Sequence, residues 1–159
     1  VNTDDRMKYL AVDYGEKRVG LAVSDPAGKL AFPLKTLHNQ GKKALADELV
    51  RIMDEHGVDA LVLGLPVPEQ GLSTQQALDD MAQAPLESTL VMRQIKNLAA
   101  SLARRTDRPV LFEDETLSSF EAEEALRERG LSGQKLADVL DQQAAVRILE
   151  TYLARSGDH

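Results

Sequence analysis

The chain has 159 residues, 43% of them hydrophobic and 28% charged, which is enough for one folded domain and too few for a two-lobed enzyme. It contains no cysteine, which removes disulfides, thiolate metal sites and thiol nucleophiles. Its formal net charge of −7 gives no general electrostatic grip on nucleic acid to assume, so such binding must come from a local basic patch or from bound metal cations.

No apolar run is long enough to cross a membrane, and the segment Val1 to Arg6 is polar, which together predict a soluble, cytoplasmic protein with no membrane partner. Lys8 to Tyr14 and Arg18 to Ser24 are short apolar runs separated by Gly15-Glu16-Lys17, a hairpin signal. A second turn, Asp25-Pro26-Ala27-Gly28, leads into a third strand over Leu30 to Leu37, where Pro33 suggests a sheet edge. From Gly41 to Gly57, Leu45, Leu49, Ile52 and Met53 recur at helical spacing, and Gly57 suits a left-handed cap. Val58 to Leu65, ending at Pro66, reads as a central strand covered on both faces and parallel to the first. The pattern then weakens, which predicts an exposed insertion at about 67–90. A helical stripe runs from Val91 to Leu102, and a last strand spans Val110 to Glu113. Ser118 with Glu121 is a capping-box pattern for a helix stopped by Gly130, and a long final helix runs from about Gln134 to Ala154. The result is a single α/β domain over 7–155, a five-stranded mixed sheet flanked by helices, with frayed termini at 1–6 and 156–159.

Several acids stand where a fold alone would not place them. Asp13 ends an apolar strand beside Gly15, where an uncompensated buried carboxylate would cost several kcal/mol; a strand-end acid that caps a turn is the alternative. Glu113-Asp114-Glu115 ends the last strand, and alternation sends Asp114 to one face and its two neighbours to the other; a solvated strand end would look the same. On the final helix Asp141 interrupts a stripe of Ala137, Ala144, Ala145, Ile148, Leu149 and Tyr152, and Asp138 stands one turn earlier. A nearby arginine could satisfy Asp141 instead of a ligand. Carboxylates converging from two strand ends and a helix would need a cation to stay ionised together, and oxygen ligands favour Mg²⁺ or Mn²⁺. Two such ions about 4 Å apart would activate a water and stabilise the leaving oxygen in phosphodiester hydrolysis.

Asp13-Tyr14-Gly15-Glu16-Lys17-Arg18-Val19-Gly20-Leu21-Ala22-Val23-Ser24-Asp25, then Gly64-Leu65-Pro66, Asp114-Glu115-Thr116-Leu117-Ser118-Ser119 and Asp141-Gln142-Gln143-Ala144-Ala145 resemble the YqgF (RuvX-like) family. These are RNase H-like proteins associated with Holliday junction resolution and with maturation of the small-subunit ribosomal RNA precursor. The resemblance spans about Lys8 to Leu153. It implies an RNase H-like sheet of three antiparallel strands followed by two parallel ones. It further implies a nuclease of structured RNA or branched DNA, serving ribosome biogenesis or DNA recombination. Position by position, Asp13, Glu115 and Asp141 match the catalytic, metal-holding acids, with Asp114 in reserve for Glu115 and Asp138 as an accessory ligand. Lys17 and Arg18 would face the substrate backbone, and Ser118 and Ser119 would touch a phosphate. Cutting a junction at two points calls for two sites and so for a homodimer. Two departures stand out: Thr116 replaces a common arginine, and the segment after Gly-Leu-Pro is longer than usual.

Two other readings compete. A catalytically silent RNase H-like adaptor would keep the fold for binding nucleic acid alone. An actin-like ATPase fragment shares the sheet order, but this chain has neither room for a second lobe nor a phosphate loop of the Walker or G-x-G-x-x-G type. His38, His56 and His159 stand at no spacing suited to zinc or to a serine triad. Against the acidic balance, local bases are Lys17, Arg18, Lys42, Lys43, Arg104, Arg105, Arg108, Arg127, Arg129 and Lys135.

Overall fold

A computed structural model of the protein describes residues 7–67, 86–116, 127 and 129–156. Five strands, β1 (Tyr9–Asp13), β2 (Arg18–Ser24), β3 (Ala31–His38), β4 (Ala60–Val67) and β5 (Val110–Thr116), form one sheet in the order β3-β2-β1-β4-β5. β1–β2 and β2–β3 are antiparallel, whereas β4 pairs parallel with both β1 and β5. Three antiparallel strands followed by two parallel ones is the arrangement expected from the sequence. The two parallel pairings need long crossovers, and those contain α1 (Lys42–His56) and α2 (Leu86–Ala103); α3 (Gly133–Ser156) follows the last strand.

Strand alternation divides the core into two layers of different bulk. On one face Leu10, Val12, Leu21, Leu61, Leu63 and Leu65 pack with Leu45, Leu49, Ile52 and Met53 of α1 and Ile95, Leu98 and Leu102 of α2. The other face carries small residues, Ala11, Ala22 and Val62, against Ala145, Ile148, Leu149 and Leu153 of α3. Small side chains let this helix of 24 residues, about 36 Å long, lie close to the sheet and touch all five strands. The closest approach is at Gly20: an added Cβ there would sit 2.0 Å from the Asp141 carbonyl oxygen and 2.9 Å from its Cβ.

α1 ends as the sequence indicates, with Gly57 at φ 63° and ψ 40° and its N–H donating to the Met53 carbonyl. β3 is the sheet edge that Pro33 suggests, and its register slips opposite Leu21 and Ala22, so the ring and the extra residue share one irregularity. Three boundaries move. β4 continues through Pro66 to Val67 instead of stopping at the proline. Beyond Leu63 it pairs with β5, where Pro66 stands opposite Glu115, and the pairing with β1 has ended. β5 extends from Glu113 to Thr116 by pairing along the same stretch of β4. α2 begins at Leu86, inside the span read as an insertion, leaving 68–85 outside the described residues. The capping-box helix from Ser118 also lies outside them, as do 1–6 and 157–159, although Gly130 closes a turn onto the Arg127 carbonyl.

Two predictions follow from these contacts. Gly20→Ala places a methyl group against backbone, which costs roughly 1–3 kcal/mol or more, and thermal unfolding should show a Tm lower by several degrees. At the β2–β3 turn, N–H groups of Leu30, Lys29 and Ala27 donate to the Asp25 carboxylate and hold its pKa below the ordinary 3.8. A lowered folded-state pKa adds stability above the unfolded value that is lost as pH falls through the folded one. Urea unfolding should therefore find Asp25→Ala less stable than the parent at pH 6, with the gap closing below 3.8.

Candidate active site

Asp13 is the last residue of β1 and is half-buried; by alternation it shares the α3 face with Tyr9 and Ala11. Its register partner on β2 is Gly20, one inter-strand spacing away, roughly 5 Å. Gly20 is the position on which the backbone of Asp141 rests. One contact thus sets an acid of the final helix beside an acid of the first strand, although 127 other residues separate them in the chain. A hydroxyl steadies the helix at this point. Thr36, the register partner of Gly20 on β3, donates from Oγ1 to the Asp138 carbonyl at 2.9 Å and accepts from Gln142 Nε2 at 3.2 Å.

The three acids of β5 separate by parity. Glu113 is 4% exposed and faces α3, where it is ion-paired with Arg155; burial pushes its carboxyl above the ordinary range, with the Arg155 guanidinium opposing. Asp114 has the parity of Val110 and Phe112 and pairs with Leu65, all part of the α1–α2 layer, so this reserve candidate stands across the sheet from Asp13 and Asp141. Glu115 is paired with Pro66 near the end of β5; its side chain, like Ser118 and Ser119, lies outside the described residues. Asp138 accepts from Gln134 Nε2 at 2.8 Å, which turns its carboxylate back along its own helix. Among the described residues no three His, Asp or Glu side chains form a group able to hold a metal ion.

Arg18 and Lys17, both expected at a substrate backbone, differ in their surroundings. Lys17 is exposed. Arg18 donates from Nε to Asp141 Oδ2 at 2.8 Å, so this arginine meets an acid of the same site. Asn39 holds the intervening loop: its Nδ2 donates to the Gly15 carbonyl at 2.8 Å and its N–H to the Lys17 carbonyl at 2.9 Å. The notch at Gly20 and the ties from Thr36 and Asn39 were not among the residues the sequence singled out. A glycine inside an apolar strand is a signal of close backbone approach, whereas the other two carry none. Arg105 and Arg108, candidates for a basic patch, are committed elsewhere, to Asp47 at 2.7 Å and Asp54 at 2.7 Å on α1.

Comparison with known proteins identifies the family. A family model described as "RuvX: Holliday junction resolvase" matches residues 7–155. A protein of Nitratidesulfovibrio vulgaris (strain DP4) named "Putative pre-16S rRNA nuclease" is 45% identical over 148 residues, covering 93% of this chain and 94% of its own. A protein of the same name from Maridesulfovibrio salexigens is 44% identical over 150 residues, covering 94% of this chain and 100% of its own. Among solved structures, Thermus thermophilus RuvC in complex with a Holliday junction substrate is 14% identical, covers 96% of this chain and 97% of its own, and has a TM-score of 0.48. The chain belongs to the RuvX family.

Proposed function

We propose that this protein is a divalent-cation-dependent nuclease of structured nucleic acid, working in the cytoplasm, with Asp13, Glu115 and Asp141 as the acids that hold the cation. The observation that carries this reading is the Gly20 contact, which sets the half-buried carboxylates of β1 and α3 on one face of the sheet. Glu115 enters as the second acid through the Asp114-Glu115 pair that resembles the family motif, and Asp114 stands on the α1–α2 face. An all-oxygen donor set with no cysteine in the chain suits Mg²⁺ or Mn²⁺. Such a cation, when bound, supplies Lewis acidity at a phosphate and a more acidic water for hydrolysis.

The chain's own residues supply the rest. Asp13 and Asp141 offer fixed negative charge at a site already ordered by backbone packing, so little reorganisation is needed when the phosphodiester arrives. Lys17, exposed at the loop tip, is placed to meet a backbone phosphate, and Ser118 and Ser119 are candidates for further phosphate contacts. The names of the 45% and 44% identical relatives favour a precursor of the small-subunit ribosomal RNA as substrate. The family description favours branched DNA as a second substrate, and its symmetric cleavage would call for a homodimer.

Cleavage of single-stranded RNA, a ribosomal precursor fragment and a four-way DNA junction, each with Mg²⁺ and Mn²⁺, tests the proposal. Asp13→Asn should lose at least about a hundredfold in rate with its Tm nearly unchanged. Cleavage by that variant at the parent rate, with contaminating nuclease excluded, would overturn the reading and favour a silent adaptor. The second acid is decided separately: Glu115→Gln should lose activity as Asp13→Asn does, while Asp114→Asn should keep most of it.

A further inference from the structure

We infer that Arg18 is the resting counter-ion of Asp141, and that the guanidinium and a divalent cation occupy this carboxylate in alternation. The inference rests on the nuclease reading and adds an order of events to it. Arg18 lies two residues before Gly20 on β2, and so on the same face as the glycine against which the Asp141 backbone is pressed. Asp141 is thus seated through its backbone, and its carboxylate meets Arg18. Its side chain is 20% exposed and that of Arg18 33% exposed, so the pair is largely withdrawn from water.

Two carboxylates brought to one face, those of Asp141 and Asp13, repel one another and call for positive charge beside them. Arg18 meets that need through a single Nε–H donated to Oδ2 at 2.8 Å. A divalent ion brings twice the charge to the same oxygens, and at such range it repels the guanidinium. Arg18 is then released from Asp141 with its planar donor fork available for phosphate oxygens. The phosphate contact expected of Arg18 therefore becomes conditional on cation loading. Arg18 acts here as a positioning residue, through Asp141.

Mn²⁺ titration calorimetry on the full chain, without nucleic acid, reads this directly. Arg18→Gln should bind Mn²⁺ roughly three- to tenfold more tightly than the parent, because the cation no longer displaces a partner. Arg18→Lys, which keeps the charge, should stay within about twofold of the parent. A role confined to holding Asp141 in place would instead weaken binding, and equal or weaker affinity in Arg18→Gln overturns the inference. A measurement that needs no variant to fold is the Arg18 Nε–H resonance of the parent, which should shift and exchange faster as Mg²⁺ saturates the site; an unchanged resonance at saturation also overturns it. Failure of the underlying site reading looks different: Asp141→Asn would then bind Mn²⁺ as the parent does.

Discussion

The absence of one side chain on β2 governs the geometry of the sheet face that carries Asp13 and receives Asp141. Gly20 lets the backbone of α3 settle onto the sheet where any larger residue would lift it, and the residue that settles there is Asp141. Because Gly20 is also the register partner of Asp13, contact and pairing together set the spacing of two acids from opposite ends of the chain. The small residues Ala11 and Ala22 continue the same close approach along the helix, and the Thr36 hydroxyl holds the helix near its start. Backbone packing of this sort resists displacement more strongly than side-chain contacts can, since a carbonyl has no rotamers into which to retreat.

Charge is arranged in two ways in this molecule. On the α3 face, Arg18 meets Asp141 at a depth where the interaction is only partly screened. Elsewhere three ion pairs tie distant parts of the chain together. Arg155 of α3 covers the buried Glu113 of β5, while Arg105 and Arg108 reach across to acids of α1. Arg155 also stands 5.9 Å over the ring of Tyr152, which meets Tyr9 edge-on at 5.2 Å, so the far end of α3 is anchored by aromatic and charged contacts together.

The architecture was largely legible from periodicity. The stripe through Leu45, Leu49, Ile52 and Met53, closed by Gly57, defines α1 almost to the residue, since burial and cap geometry act within a few residues of one another. Pro66 misled as a strand terminator because a proline's effect depends on which neighbour needs its missing N–H, and that is a property of the sheet. Asp13 and Asp141 were visible as acids on apolar patterns. Their common face follows from register and from Gly20, and the partner of Arg18 depends on a contact spanning most of the chain. Strand parity does separate Asp114 from its neighbours, but parity acquires meaning only once Leu111 and Phe112 are known to enter different cores.

The commitments of Arg105 and Arg108 bear on how a polyanion would sense the molecule. Each is matched by a carboxylate within hydrogen-bond range, and Arg51 is likewise held between Glu48 and Glu55. Beyond a screening length of about 8 Å such pairs resemble short dipoles with little outward field. These three arginines thus neither draw a phosphate chain inward at a distance nor turn it away. Any steering of such a chain falls to bases outside these pairs, among them the exposed Lys17 in the loop between β1 and β2.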